Sequence, residues 1–464
     1  MYMQKGKQSK TIVLTELQHR QIEENSKTKV QAFQRKIYLK SRQNPNYRFY
    51  CLYDKVFRKD FLIEAYRKVK ANQGVAGIDK TTFKDLEGKE ETFIDEIHQE
   101  LKAKTYKPSR LKEVEIPKTK GKTRKIRIPT IKDRVVQMAL KMVIEPIFEA
   151  DFEDNSFGYR PKKSAQQAIG RVGKELFKDI YRVNKREIKS ADLSDCFNTI
   201  PHPELMRAIA RRINDRQVLK LVKMIVKTGV LEKGSAVKKD KSNKNNGDKQ
   251  DKQGNNKRGT PQGGVISPLL ANIYLDKLDK YWKENSKISQ MTRYADDFVI
   301  LLHKKEEKKF NEFLEFLERD LKLKVNREKT KTETLKEGVN FLGFTMREKT
   351  SKRQKQYLSI EPNLKACKKI RESIKLEIKH RTGKKTEETI NRINRKLRGW
   401  QEYFDNICMG KTREKINRYT ELKVARMISK NNKREKICWK LFGNKEIYKK
   451  YALYKMKNLG RKFT

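Results

Sequence analysis

Two groups of acidic residues are the first candidates for chemistry in this chain. Asp296 and Asp297 are adjacent in Tyr294-Ala-Asp-Asp297, and Asp192 lies far upstream in Ser190-Ala-Asp-Leu193. Aspartate is a common turn residue, so an isolated Asp-Asp pair carries little information. A third carboxylate changes this, because two hard divalent cations joined to a nucleotide triphosphate need oxygen ligands that converge from separate elements. The pattern therefore indicates a candidate site for two hard divalent cations.

Short strands would position these carboxylates. Residues 187–193 predict a strand that leads into Asp192, and residues 289–303 predict two short strands around a turn that holds Asp296 and Asp297. A second hairpin is predicted from residues 114–129, with basic side chains at its tip. The sequence thus predicts a small sheet that carries the acidic residues and a separate positively charged hairpin.

Several helices are predicted from their first residues. Asp133 opens one that runs to Ala150, and Ser164 with Gln167 forms a capping-box signature for the next. Ser267, followed by proline, begins a third helix. Beyond the Phe-Leu-Gly-Phe segment at 341–344, the composition predicts basic helices to the end of the sequence.

The charge balance indicates a polyanionic partner. The 464 residues include 112 Lys and Arg against 59 Asp and Glu, a formal net charge of +53. Such an excess destabilises a compact chain by self-repulsion unless a polyanion neutralises it. Nucleic acid is therefore the expected partner, and an anionic membrane surface is the weaker alternative. The five scattered cysteines form no C-x-x-C pair, which argues against a disulfide framework and a zinc site.

The sequence has no membrane-spanning or secretory pattern. Its apolar runs are far shorter than a membrane helix requires, and charged residues interrupt the N-terminal segment early. We therefore expect a cytoplasmic, bacterial-type protein associated with the nucleoid and with no membrane partner.

Two longer motifs resemble a known family. Arg293-Tyr-Ala-Asp-Asp297 is similar to the catalytic box of reverse transcriptases. The segment GTPQGGVISPLLAN, which begins at Gly259, resembles the reverse transcriptase/maturase proteins encoded by group II introns. Further blocks resemble that family in the same order, at 72–79, 133–137, 145–149, 156–161, 341–344 and 397–400. Many relatives end in an HNH-type endonuclease with paired cysteines, which this sequence lacks, so we expect no DNA cleavage by the protein itself.

The resemblance implies roles for residues at the acidic site. Asp192, Asp296 and Asp297 would be the catalytic residues that hold two Mg²⁺ ions, and the Leu193 carbonyl would help to hold one of them. Tyr294 would pack near the primer end.

Nucleotide-binding residues are also implied. Phe197 would block a ribose 2′-hydroxyl, although ordinary core packing explains the residue equally well without the family. Gln262 and Gly263 would allow the backbone to approach the incoming nucleotide, while a plain turn is the alternative. Lys118 and Arg124, on the basic hairpin, would bind the triphosphate, with a solvated charged face as the alternative.

The basic residues near the end of the sequence are candidates for nucleic-acid contacts. Lys329 would contact a backbone phosphate. Residues 390–407 place apolar side chains at helical spacing, which predicts a packed face. Basic residues that lie largely off that face would contact a template–primer duplex or intron RNA: Arg392, Arg395, Lys396 and Arg398. The tail interleaves basic and aromatic residues, which suits single-stranded nucleic acid, and a packed helical cap is the alternative.

The predicted domain order follows that of the family. It consists of an N-terminal helical extension (1–50), fingers (51–180), a palm (181–350) with a mobile low-complexity insertion (234–258), a thumb or maturase domain X (351–430) and a basic nucleic-acid-binding tail (431–464). The fold class implied is α+β, a right-hand polymerase with fingers and palm followed by an α-helical thumb.

The function implied is RNA-directed DNA polymerisation with intron maturation. The protein would extend primer DNA on template RNA with deoxynucleoside triphosphates. It would also bind its parent intron RNA, assist splicing, and return the intron to target DNA by target-primed reverse transcription. Two rivals are a host-adopted reverse transcriptase in repair, defence or diversity generation, and a splicing-only RNA-binding maturase. The three aspartates favour polymerase activity, and the oligomeric state is not predicted.

Overall fold

A computed structural model describes most of the chain. The described residues are 16–117, 123–181, 186–231, 258–326, 330–379, 385–404, 410–431 and 446–457. Lys118, Lys329 and the insertion at 234–258, apart from Arg258, lie outside the described residues.

The helices form most of the described structure. They are α1 (Glu16–Gln43), α2 (Tyr53–Phe57), α3 (Lys59–Ala71), α4 (Glu90–Lys102), α5 (Ile131–Glu149), α6 (Ala165–Ile180), α7 (Cys196–Thr199), α8 (His202–Ala210), α9 (Arg216–Lys227), α10 (Ser267–Asn285), α11 (Glu307–Arg319), α12 (Leu364–Lys379), α13 (Thr386–Phe404), α14 (Gly410–Asn431) and α15 (Glu446–Lys449).

Three small sheets accompany these helices. The strands are β1 (Leu111–Pro117), β2 (Thr123–Ile128), β3 (Glu187–Asp192), β4 (Val230–Leu231), β5 (Gln290–Tyr294), β6 (Asp297–Leu302), β7 (Lys331–Glu333), β8 (Val339–Phe341), β9 (Phe344–Thr350) and β10 (Gln356–Pro362). The sheet orders are β2-β1-β4, β5-β6-β3-β7 and β10-β9-β8.

The chain divides into two compact units. The first contains Met1–Glu153, Ser194–Lys280 and Leu317–Lys324, and the second contains Asp154–Leu193, Tyr281–Phe316 and Val325–Thr464. Each unit is assembled from separate stretches of sequence. The predicted boundaries of extension, fingers, palm, thumb and tail stay a prediction.

Helix α5 runs through the core of the first unit. It begins at Ile131, two residues before the predicted start, because Thr130 is the N-cap and its hydroxyl accepts a hydrogen bond from the Asp133 amide. The buried Asp133 carboxylate accepts hydrogen bonds from the Tyr106 hydroxyl at 2.6 Å and the Ser109 amide at 3.2 Å. Burial nevertheless raises the pKa of Asp133. Pro146 lies inside the helix without ending it.

The four-stranded sheet of the second unit confirms the predicted strands. Strand β3 pairs antiparallel with β6, and β5 pairs antiparallel with β6. Ile188, Val299 and Leu301 on these strands belong to one buried cluster with apolar residues of α6. The predicted capping box is also present, since Ser164 and Gln167 bond reciprocally at the start of α6. This packing gives the strand ends a rigid support.

The prediction of helix directly after residue 344 is wrong. Residues 344–362 form β9 and β10, which pair antiparallel, and β9 also pairs with β8. Phe344 and Met346 are buried with a more exposed residue between them, the period of a strand. Exposed basic residues in β9 and in the following turn make this segment resemble the basic helices that follow it, so its composition does not reveal the alternation. The helical part begins only with α12.

The last helices of the second unit share a core. Ile390, Ile393 and Leu397 are buried in it, which confirms the predicted packed face of α13. In the described part of the tail, Asn394 and Asn417 donate hydrogen bonds to the carbonyls of Ala452 and Met456, at 2.8 and 3.0 Å. Residues 446–457 therefore form a packed cap on these helices, which is the alternative considered for the tail.

Candidate functional site

The three aspartates lie at one end of the four-stranded sheet. Asp192 is the last residue of β3 and is the direct partner of Asp297, the first residue of β6. Directly opposed residues in an antiparallel pair place their side chains on the same face, with Cβ atoms about 5 Å apart. Asp296 occupies the two-residue turn between β5 and β6, because Tyr294 pairs with Asp297. The structure thus places at one end of a single sheet the three aspartates that the sequence carries on separate segments.

The donor types at this sheet end suit a hard divalent cation, since carboxylate oxygens are the ligands that Mg²⁺ prefers. Asp297 is exposed, and Asp192 and Asp296 are partly exposed. Among the described residues, no group of three or more His, Cys, Asp or Glu side chains is gathered closely enough to hold a metal ion. Leu193, whose carbonyl is the fourth candidate ligand, is buried and forms a β-bridge with Val325.

A buried arginine supports the turn that carries Asp296. Arg293 has no exposed surface, and its guanidinium donates hydrogen bonds to the Ala295 carbonyl at 2.9 Å and the Ser156 hydroxyl at 2.7 Å. Its backbone also bonds to Asn155 and Phe157. Tyr294, the predicted primer-end residue, is partly buried and packs against the cluster behind the sheet.

A cluster of hydrogen-bonded polar side chains in the first unit contains two of the predicted nucleotide-binding residues, Arg124 and Gln262. The Arg124 guanidinium on β2 donates a hydrogen bond to the Gln262 side-chain carbonyl at 2.9 Å. The Gln262 amide nitrogen lies 3.4 Å from a carboxylate oxygen of Asp195. Arg124 and Gln262 are distant in sequence but adjacent in this unit, so the structure brings these two predicted residues together.

Gly263 makes a close backbone approach to strand β2, and its predicted approach to an incoming nucleotide stays a prediction. Its φ is +113°, and a Cβ there would lie 2.7 Å from the Arg127 carbonyl oxygen. The preceding Gln262 carbonyl accepts a hydrogen bond from the Arg127 amide at 2.7 Å. The observed approach is therefore to strand β2, which fixes the segment beside Arg124.

Phe197 lies on the short helix α7 and is 9% exposed. Its carbonyl accepts a hydrogen bond from the Thr260 amide at 2.6 Å, which ties α7 to the segment that carries Gln262. Both readings of Phe197, a packed core residue and a nucleotide contact, are compatible with this burial.

Asp195 and His202 are site residues that the sequence analysis missed. Asp195 has a φ of +53°. Its carboxylate accepts hydrogen bonds from the side-chain amides of Asn198, at 3.0 Å, and Gln262, at 3.4 Å. His202 is buried, and its Nε2 lies 2.6 Å from the Gly259 carbonyl oxygen. Burial lowers the pKa of His202, so the neutral ring is favoured. The spacing of Asp195 and Asn198 is the only sequence signal, and it is a common local motif.

The four predicted basic residues of α13 differ in their environment. Arg392 forms an ion pair with Glu388 at 2.8 Å, and Lys396 forms one with Glu377 at 2.9 Å. Arg395 is exposed and has no ionic partner among the described residues. Arg398 is exposed and lies over the Tyr454 ring, 5.1 Å from its centroid. Arg395 and Arg398 are therefore the more available of the four for phosphate contacts.

The fold and the aspartates define a reverse-transcriptase-type polymerase. Residues 116–346 match the family described as reverse transcriptase (RNA-dependent DNA polymerase), and residues 367–445 match the group II intron maturase-specific domain. The chain belongs to the family of group II intron-type reverse transcriptases with a maturase domain. This confirms the predicted family, the α+β polymerase class and the enzyme class. Enzymes of this family use divalent metal ions.

Named relatives and one solved structure resemble the chain to different extents. The chain is 31% identical to the protein YkfC of Escherichia coli over 70% of this chain and 90% of that protein. It is 33% identical to the group II intron-encoded protein LtrA of Lactococcus lactis over 52% of this chain, but covers only 36% of LtrA. A telomerase from Candida albicans aligns with 73% of this chain and 62% of its own, at 13% identity and a TM-score of 0.39.

None of the helices in the described ranges is long and apolar enough to cross a membrane.

Proposed function

We propose that this protein extends a DNA primer on an RNA template with deoxynucleoside triphosphates. The observation that carries the proposal is the register of the four-stranded sheet, in which Asp192 faces Asp297 beside the turn that holds Asp296. This arrangement lies within the segment that matches reverse transcriptases. The three carboxylates would bind two Mg²⁺ ions, and the Leu193 carbonyl would add a ligand.

Bound Mg²⁺ would lower the pKa of the primer 3′-hydroxyl and neutralise charge on the triphosphate. The protein's own contribution is to hold the reactants. Arg124, fixed by Gln262, would bind phosphate oxygens, and Gly263 would keep the segment close to β2. Phe197 would exclude a ribose 2′-hydroxyl. Lys118 and Lys329 would add phosphate contacts, and Tyr294 would contact the primer end.

The maturase domain supports a second part of the proposal. We infer that α13 contributes to binding of the parent intron RNA through Arg395 and Arg398, with smaller contributions from the ion-paired Arg392 and Lys396. Such binding would assist intron splicing, and with the polymerase it would return the intron to target DNA. The likeness to LtrA, a group II intron-encoded protein, supports this assignment.

Primer extension tests the polymerase directly. Wild-type protein should extend a DNA primer on an RNA template with Mg²⁺ and deoxynucleotides, and Asp296→Ala should not. Both proteins should bind the template with similar affinity, because the substitution removes a metal ligand and leaves the basic surface. Tight RNA binding without extension by the wild type would instead support a splicing-only maturase.

A further inference from the structure

The turn between β5 and β6 adopts a conformation that its sequence does not favour. Ala295 has a φ of +59°, in the left-handed region that residues with a Cβ rarely occupy. Asp296 follows in the same turn, and Asp297 begins β6. Because the next two residues are the candidate metal ligands, whatever holds Ala295 in this conformation also sets the direction of their side chains.

Hydrogen bonds from the Arg293 side chain hold the backbone of this turn. The Arg293 guanidinium spans two oxygens, the Ala295 carbonyl at 2.9 Å and the Ser156 hydroxyl at 2.7 Å. Ser156 is itself fully buried, and its carbonyl accepts a hydrogen bond from the Arg160 guanidinium at 2.8 Å. A planar guanidinium has donors in a fixed fork, which a lysine ammonium does not provide. Arg293 thus couples the turn to the segment at 155–160.

Steric contact holds the same turn from a second side. A Cβ placed on Gly158 would lie 2.3 Å from the Ala295 amide nitrogen and 3.0 Å from its Cα. Both atoms are backbone, so no flexible side chain can move aside. The Phe157 amide also donates to the Arg293 carbonyl at 2.9 Å, which fixes the neighbouring residue in place. The absence of a side chain at Gly158 is therefore what lets this segment lie against the turn.

We propose that Arg293, Ser156 and Gly158 are positioning residues that fix the Ala295–Asp296 turn and thereby the spacing of the aspartates proposed to bind Mg²⁺. These three residues are called the clamp. None of the three touches the reacting atoms. The inference rests on the proposed polymerase function, because it assigns these residues to the same metal site.

The principal test is Gly158→Ala, with Ser156→Ala as a second variant that removes one hydrogen bond without adding bulk. The matched control is Gly229→Ala, since a Cβ there has nothing within 4 Å. Mn²⁺ binding to the protein with template and chain-terminated primer is followed by electron paramagnetic resonance. Primer extension is measured in parallel as a function of Mg²⁺ concentration.

We expect the clamp variants to weaken Mn²⁺ binding and to raise the Mg²⁺ concentration for half-maximal extension by roughly 10- to 100-fold, as for other residues that orient metal ligands. Template affinity should stay close to wild type in all variants. The thermal midpoint should fall modestly in the Gly158 and Ser156 variants, because overpacking and an unpaired buried donor both destabilise a fold. The Gly229→Ala protein should match wild type in every measurement. Arg293→Lys should resemble the clamp variants, because it retains the charge but not the fork.

Two results would contradict the proposal that the clamp positions the metal ligands. One is wild-type metal binding in both Gly158→Ala and Ser156→Ala. The other is a fall in thermal midpoint and template affinity that parallels the loss of metal binding, which would indicate a purely structural role. If wild-type protein binds Mn²⁺ but does not extend primers, the polymerase proposal fails, while the comparison of Mn²⁺ binding among the variants still decides whether the clamp exists.

Discussion

Core packing and exclusion of a ribose 2′-hydroxyl are two possible roles of Phe197, and they predict different experimental outcomes. A side chain that only packs the core contributes stability, whereas one that excludes a 2′-hydroxyl also decides which nucleotides are accepted. We predict that Phe197→Ala raises the ratio of kcat/KM for ribonucleotides to that for deoxynucleotides by about tenfold or more, equivalent to about 1.4 kcal/mol. Steady-state incorporation of matched nucleotide pairs measures this ratio.

The control for Phe197 is Phe152→Ala. Phe152 is similarly buried, at 8% exposure, and belongs to the same unit without being part of the cluster of polar side chains around Gln262. Both substitutions should lower the thermal midpoint, since truncating a buried phenylalanine costs about 3–5 kcal/mol. An unchanged nucleotide ratio in Phe197→Ala, with the same loss of stability, would leave core packing as its role.

His202 predicts a pH dependence of stability. Burial lowers its pKa in the folded state from the ordinary value of 6.5, and its Nδ1 has no hydrogen-bond partner among the described residues. The unfolded chain therefore binds the proton more readily, so stability is lost as pH falls through about 6.5. We expect thermal midpoints between pH 8 and pH 5 to fall less steeply in His202→Gln, whose amide still donates to the Gly259 carbonyl. Parallel pH profiles would contradict this.

The position of the three candidate catalytic aspartates at strand ends could be predicted because its signal is local. Asp296 and Asp297 are adjacent, and Asp192 ends a short strand-like segment, so residue type and sequence pattern suffice. Asp195 could not be predicted, since its contact with Gln262 joins residues far apart in sequence and depends on a positive φ. The clamp on Ala295 was missed for the same reason, because a glycine's close approach to a distant turn leaves no pattern in the sequence.

At the scale of elements, Glu306 fixes the approach to strand β5. Its buried carboxylate accepts hydrogen bonds from the Ser289 and Lys287 amides at 2.9 and 3.0 Å and from the Ser286 hydroxyl at 2.8 Å. Burial opposes the charge, but these bonds and Lys309 outweigh it and hold the pKa of Glu306 well below 4.5. The segment that leads into the β5–β6 hairpin is therefore held by an ionised carboxylate.

We predict that Glu306→Gln lowers the free energy of unfolding by about 1–3 kcal/mol at pH 7. Because the folded-state pKa is depressed, this contribution is complete above about 4.5, shrinks as pH falls below that value, and is lost only as pH falls through the depressed pKa of the folded state. Denaturant titrations at pH 7 and at pH 3–4 measure the difference. The control, Glu312→Gln on the exposed face of α11, should match wild type at both values. A destabilisation by Glu306→Gln that is as large at pH 3 as at pH 7 would contradict the electrostatic account.

Secondary structure was predictable where caps and alternation are clean, as at Ser164 and in β3, β5 and β6. It was mispredicted in β9 and β10, where exposed basic residues obscure the alternation of buried Phe344 and Met346.

In the whole molecule, each of the two units combines distant stretches of the chain. Such assembly depends on tertiary contacts, which composition along the sequence does not encode.

The net charge of +53 belongs to the whole molecule and predicts a steep salt dependence of RNA binding. Each phosphate contact contributes about −0.7 to −0.9 to the slope of log affinity against log salt concentration, because counterions are released. We expect a slope of several units for a structured intron RNA in filter binding.

Arg395→Gln should reduce the magnitude of this slope by about one, since Arg395 has no ionic partner among the described residues. Lys396→Gln should change it less, because Lys396 already pairs with Glu377. A flat salt response, or equal effects of the two substitutions, would show that affinity does not arise from these phosphate contacts.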